Sequence, residues 1–99
     1  MISDTEVAVY NEGIAIGVAG QTSYSGHLAH VPVVAGSVRV QAGGFYFVDS
    51  GGGILVGETG GTAGTIQYNS GSWSINLGGN DIDAGLTILA NYIYQVPTP

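Results

Sequence analysis

The clearest structural signal in the chain lies at residues 65–77, which read TIQYNSGSWSINL. Apolar side chains alternate with polar ones on both sides of a central turn, as at Ile66 before it and at Trp73 after it. Alternation with a period of two is typical of strands that bury one face. The turn contains Gly71, which can adopt the left-handed conformation that a short hairpin loop requires. This stretch therefore predicts a β-hairpin with one face directed to a core.

The same alternation extends through most of the chain, for example in SVRVQ at residues 37–41 and in LTILANYIY at residues 86–94. Glycine-rich segments such as DSGGG at residues 49–53 separate these stretches, and no window combines helical periodicity with helix caps. About eight short strands spaced by roughly 8–12 residues predict an all-β domain, an antiparallel β-sandwich or barrel. The residues expected to share its core are Ile66, Tyr68, Trp73, Ile75, Leu77, Ile88 and Tyr92.

The first part of the chain differs from the rest in composition. VAVYNEGIAIGVAG at residues 7–20 is apolar but has mostly small side chains. We expect residues 1–22 to form an N-terminal arm or an edge hairpin and residues 23–99 to form a single β domain. An apolar, alternating arm can add a strand to the sheet edge of a neighbouring molecule. The residues predicted to form a partner interface are Ile2, Val7, Val9, Tyr10, Ile14, Ile16 and Arg39.

The charge composition excludes several classes of partner. Arg39 is the only Lys or Arg among 99 residues, seven residues are Asp or Glu, and the net charge is −6. Nucleic acids and anionic membranes are bound through Lys and Arg, so neither is expected as a partner. Only 8% of the residues are charged, and a surface with few ions costs little to desolvate. This composition favours a protein whose surface is covered by neighbouring subunits. The alternative is an ordinary acidic, glycine-rich β domain.

Metal binding and catalysis have weak support in the sequence. His27 and His30 are three residues apart, which places them on opposite faces of a strand, and there is no Cys to complete a site. Asp81 and Asp83 resemble the start of a calcium loop, but the later ligands are absent, so a turn is favoured. No GxSxG nucleophile motif occurs, and the glycine-rich GETGGTAGT lacks the Lys of a phosphate loop. We expect no metal, no cofactor and no enzymatic activity.

Aromatic residues raise the alternative of a carbohydrate-binding module. The chain has six Tyr and one Trp, and exposed aromatic rings can stack on sugars. However, Tyr68, Trp73 and Tyr92 alternate in phase with Ile and Leu residues. Membership of the core explains these rings without a ligand.

Three stretches carry a resemblance to a known family: SGHLAHVPVVAGSVRV at residues 25–40, GTIQYNSGSWSINL at residues 64–77 and LTILANYIY at residues 86–94. In this order and spacing they resemble a small all-β domain found in virion structural proteins of tailed bacteriophages. The similarity covers about residues 23–94. The chain departs from the pattern at Ala35, where Pro is usual, and at Asn80-Asp81-Ile82, which replaces a Pro-rich turn. Both departures fall in loops.

The resemblance implies a virion part, and the absence of fibre or coiled-coil repeats favours a capsid decoration (cement) protein. Its expected location is the capsid surface, and its expected partners are the major capsid protein and other copies of itself. Capsid symmetry would allow three copies to meet on a local threefold axis, but the sequence does not fix the oligomeric state. The alternative is a tail or baseplate module that binds a receptor or a carbohydrate. Copy number in the particle discriminates between the two.

Overall fold

Period-two alternation in the sequence produces a sheet of eight β-strands, with no helix among residues 3–98. The structure is a computed structural model, which describes residues 3–98 and the side chains of residues 5–96. The strands are β1 (Ser3–Ile16), β2 (Ser23–His27), β3 (Arg39–Ala42), β4 (Phe45–Asp49), β5 (Ile54–Gly57), β6 (Ala63–Ile66), β7 (Ser72–Asn76) and β8 (Thr87–Thr98).

The strands form one sheet in the order β1-β8-β3-β4-β5-β6-β7-β2, and every neighbouring pair is antiparallel. Strands β3 to β7 follow one another as a meander, whereas β8 returns to lie between β1 and β3. The two end strands, β1 and β2, come into contact and nearly close the sheet. The predicted antiparallel all-β fold is confirmed, and its architecture is that of a nearly closed barrel.

The hairpin predicted from residues 65–77 is formed by β6 and β7. Ile66 lies opposite Trp73, and both side chains are buried. Gly71 ends the connecting loop with a φ of 74°, as the turn chemistry predicts. A Cβ atom at this position would also lie 2.8 Å from Val31 Cγ1, so the loop has no space for a side chain. Both the conformation and the packing therefore require glycine here.

The core fills the inside of the curved sheet, and the seven residues predicted for it all contribute. Tyr68 is partly buried and packs against the core, while the fully buried members of the set are Ile66, Trp73, Ile75, Leu77, Ile88 and Tyr92. Because inward and outward residues alternate, the outer face of β7 carries polar side chains such as Ser72 and Ser74, whereas that of β5 carries the apolar Ile54 and Val56.

Two features of the sheet differ from the expectation of short, regular strands. Strand β1 has 14 residues and β8 has 12, so the pair runs along much of a molecule whose extents are 51 × 24 × 18 Å. The segment VPVVAG at residues 31–36, which looks extended in sequence, forms only an isolated bridge between Val33 and Tyr94. Its amides bond in two directions, Val33 N–H to the Tyr68 carbonyl and Val34 N–H to the Ile93 carbonyl. The segment therefore crosses between two parts of the barrel and does not continue a ladder.

Candidate functional site

Strand β1 is an edge strand, and among the described residues it forms a ladder only with β8. The pairing runs antiparallel from Ser3 opposite Thr98 to Ile16 opposite Thr87. Strand β8 makes its last bridge to another segment at Tyr94. Residues 3–6, paired with residues 95–98, lie beyond that bridge, and we call these four pairs the terminal ribbon. An edge strand presents backbone N–H and C=O groups that can pair with another chain.

The predicted interface residues of β1 divide into two groups. Val9 and Ile14 pack against the core of their own chain, and Val7, opposite Tyr94, is half-buried. Tyr10 and Ile16 are exposed, with 75% and 56% of their surfaces accessible. Ile2 lies outside the described residues. The side chains of Val9 and Ile14 thus contribute to the chain's own core, and the role of the whole set in a partner interface stays a prediction.

A β-bulge interrupts the regular alternation of β1. Val9 pairs with Tyr92 and Glu12 pairs with Ala90, so two residues of β1 stand opposite the single residue Asn91. Asn11 is the residue in the left-handed conformation, with a φ of 56°. Its N–H donates to Asn91 Oδ1 at 2.6 Å, which fixes the side chain of Asn91 on the outer face. The bulge keeps both halves of β1 in the same sheet.

The carboxylate of Glu12 connects β1 to the segment after β2 by hydrogen bonds. Its Oε1 accepts a hydrogen bond from the Tyr92 hydroxyl at 2.6 Å, and its Oε2 accepts one from Ala29 N–H at 3.0 Å. The Tyr92 oxygen in turn accepts His30 N–H at 3.2 Å. Burial, and then the hydrogen bond to Glu12, raise the pKa of Tyr92 far above its usual range. The group holds the barrel nearly closed.

Asp49 is a buried carboxylate that, like Glu12, accepts hydrogen bonds from a tyrosine hydroxyl and from backbone N–H groups. Its Oδ1 accepts hydrogen bonds from the Tyr68 hydroxyl at 2.6 Å and from Gly51 N–H at 3.0 Å. Its Oδ2 accepts Gly36 N–H at 2.7 Å. Burial, and then the bond to Asp49, raise the pKa of Tyr68 above its ordinary value. Both of these carboxylates are engaged in holding loops to the barrel.

Replacing Tyr92 with Phe is expected to lower the free energy of unfolding at neutral pH by about 1–3 kcal/mol, because Glu12 loses a hydrogen-bond donor. A raised pKa in the folded state also makes wild-type stability fall as pH rises above about 10, where the unfolded tyrosine ionises and the folded one does not. The variant should lose less stability over that interval. Urea unfolding from pH 7 to pH 11 measures both effects, with Tyr10→Phe as the exposed control. Equal alkaline slopes in wild type and Tyr92→Phe would contradict this account.

Arg39 lies on the outer face of β3, between the buried residues Val38 and Val40, as the alternation predicts. Its Nη1 donates to the carbonyl oxygens of Gly36 at 3.1 Å and of Val38 at 3.0 Å. Among the residues whose side chains are described, the hydrogen bonds of Arg39 go to the backbone. The Arg39 side chain is exposed.

The residues considered for metal binding lie apart. His27 is exposed at the end of β2, and the ring of His30 stacks on Tyr94, with centroids 4.6 Å apart. Asp81 lies in the loop before β8, where its Oδ2 accepts Gly20 N–H at 3.2 Å. Within residues 5–96, no three His, Asp or Glu side chains are grouped closely enough to hold a metal ion.

A groove on the outer face of the sheet was not anticipated from the sequence. It has a volume of about 270 Å³ and crosses β8, β3 and β4. Cross-strand pairing forms its floor in two rows: Asn91, Arg39 and Val48 in one, and Leu89, Gln41 and Tyr46 in the other. We call this feature the outer groove. The alternation in the sequence indicates which residues of β3 and β4 face outward, but it does not show that β8 lies beside β3.

A larger concavity of about 780 Å³ lies on the outer face of β2, β7 and β6. Hydroxyl side chains dominate its polar lining, and Thr65 Oγ1 lies 2.7 Å from Ser74 Oγ. Its lining contains neither an acidic nor a basic residue. This surface offers hydroxyl groups but no charged group to orient a ligand.

Comparison with protein families, with curated proteins and with solved structures finds no match to this chain. The described residues contain no helix that is long and apolar enough to cross a membrane.

Proposed function

We propose that this chain is a structural protein of a tailed-bacteriophage virion, a decoration protein that binds the outside of the capsid and stabilises it. It acts by binding alone, without catalysis, metal or cofactor. Its partners are the major capsid protein and other copies of itself.

The observation that carries this proposal is the open edge of β1. Residues 3–6 lie in the terminal ribbon, where β8 is the only described neighbour of the strand. A strand of this kind can be joined by a strand of another protein, which supplies backbone hydrogen bonds without any charged group. Tyr10 and Ile16 add exposed apolar surface near the same edge.

The composition of the surface supports a permanent contact with neighbours. Ile54 and Val56 on the outer face of β5, and Val18 after β1, are about half exposed. Only 8% of all residues are charged, so few ions lose their hydration when the surface is covered. Burial of this apolar surface favours association, and part of that gain offsets the entropy lost when the two partners are fixed together.

Binding to the assembled shell is sufficient to explain a stabilising action. A protein that binds only the assembled state stabilises it by RT ln(1 + [L]/Kd) at each site. Because many identical sites act on one shell, a modest affinity at each site produces a large total effect on the particle.

We expect the protein to stay on the particle at high salt, because ionic screening weakens only charged contacts. Purified particles are washed at rising NaCl concentration, and the released protein is quantified. The washed particles are then heated with and without the protein, and decorated shells should melt at a higher temperature. Release below about half-molar NaCl would indicate an electrostatic contact. Equal melting of decorated and bare shells would contradict a cementing role.

A further inference from the structure

We infer that the outer groove is a binding site for a neutral saccharide, formed by Arg39, Gln41, Tyr46, Glu58 and Asn91 together with Leu89. The inference does not depend on the proposed virion role, because it concerns the isolated chain. It rests on the size of the groove, on the exposed tyrosine and on the polar groups gathered around it.

The shape of the groove suits a small polar ligand. Its volume of about 270 Å³ lies just below the roughly 300–1,000 Å³ of pockets that hold drug-sized ligands, which suits a small ligand of about one sugar ring. The floor is formed by side chains of β8, β3 and β4, in which Leu89 pairs with Gln41 and Gln41 pairs with Tyr46. Sites on paired strands hold their side chains more precisely than sites on loops.

Tyr46 supplies an aromatic surface at the groove. Its neighbours in β4 point the other way, Phe47 into the core, whereas 45% of the surface of Tyr46 is exposed. The Gln41 amide donates to the Tyr46 hydroxyl at 3.4 Å and to the Gly43 carbonyl at 3.5 Å. Gln41 thus lies beside the ring. An exposed aromatic ring next to polar groups can pack against the C–H face of a sugar while its hydroxyl groups are hydrogen-bonded.

Directional polar groups surround the ring. The bulge at Asn11 directs its N–H to Asn91 Oδ1, which leaves the opposite, donor end of the Asn91 amide for other contacts. Arg39 lies opposite Asn91 in the sheet and donates several N–H groups from a planar fork, while Glu58 supplies acceptors. Planar donors and acceptors that form paired hydrogen bonds suit the adjacent hydroxyl groups of a sugar.

The charges favour a neutral ligand over an anionic one. Arg39 and Glu58 both line the groove, so their charges offset each other there. The whole chain carries a net charge of −6, which repels anions at long range. A neutral ligand meets no such barrier. The larger concavity on β2, β7 and β6 lacks charged groups of either sign and has no comparable support.

The test is a titration of the isolated protein followed by heteronuclear NMR. The probes are methyl glycosides of glucose, mannose and galactose, N-acetylglucosamine, and glucuronate as the anionic comparison, each up to about 100 mM. We expect shifts confined to residues 39–48, 58 and 89–91, with a Kd in the millimolar range for at least one neutral probe.

Tyr46→Ala should weaken that binding about tenfold, and Gln41→Ala should weaken it as well, whereas the control Tyr10→Ala removes an exposed tyrosine outside the groove and should leave it unchanged. Gln41→Ala also keeps the test informative if Tyr46→Ala fails to fold. The absence of shifts with every neutral probe would overturn the inference. So would tighter binding of glucuronate than of the neutral sugars, or binding that neither groove variant alters.

Discussion

Replacing Trp73 with alanine is expected to lower the free energy of unfolding by about 3–5 kcal/mol, the usual cost of removing a large buried aromatic side chain. Trp73 is 2% exposed and lies in β7, between β2 and β6. Its ring covers Gly26 of β2 so closely that a Cβ atom there would lie 3.2 Å from the indole. The cavity left by the indole would be bordered by three strands, which cannot collapse without breaking their pairing.

Urea unfolding of the isolated protein measures this effect. Tyr10→Ala is the matched control, because it also removes a large aromatic ring but from a position that is 75% exposed. The control should change stability by no more than about 0.5 kcal/mol. A loss of less than about 1 kcal/mol for Trp73→Ala would mean that the indole is not part of the core.

Deleting residues 1–6 is expected to reduce the amount of protein bound per particle more than tenfold while the isolated domain stays folded. The deletion removes the β1 half of the terminal ribbon. It spares Val9 and Ile14, which pack on the core, and Glu12, which bonds to Tyr92. If a capsid strand pairs with this edge, about three hydrogen bonds at roughly 1 kcal/mol each are lost, a factor above one hundred in affinity.

The control for the deletion is the double variant Asp4→Asn with Glu6→Gln, which keeps the strand and removes its charges. Particle occupancy is measured by gel densitometry, and the melting temperature of each free variant is measured in parallel. The double variant should bind like wild type, because strand pairing uses the backbone. Full occupancy by the deletion variant, or an equal loss for both variants, would contradict strand addition at β1.

The fold class and most of the core were predictable because local alternation encodes which face of a strand is buried. Ile66 and Trp73 alternate with polar residues, and the closed hairpin places them opposite each other. Gly71 marked the loop, since its left-handed φ is a local requirement. These features depend on a few neighbouring residues, so they are readable without knowledge of the rest of the chain.

Strand order and strand length were not predictable, since they depend on contacts distant in sequence. Strand β8 lies between β1 and β3, and only the completed sheet reveals it. The bulge at Asn11 breaks the alternation of β1, so one long strand looks like two short ones. The hydrogen bond between Tyr92 and Glu12 could not be predicted either, because the two residues are 80 positions apart in sequence.

The outer groove illustrates the same limit for a candidate site. Arg39, Gln41 and Tyr46 could be assigned to outward positions from alternation alone. Their combination with Asn91 depends on the pairing of β3 with β8, and the approach of Asn11 depends on the bulge. A sequence pattern therefore identifies outward residues but not which of them share a surface.

The copy number of the wild-type chain in purified particles tests the central claim most directly. A protein that decorates a symmetric shell occupies every equivalent site, so densitometry should give on the order of hundreds of copies per particle. About a dozen copies would instead place the chain in the tail or baseplate. Absence of the chain from purified particles would contradict a virion role altogether.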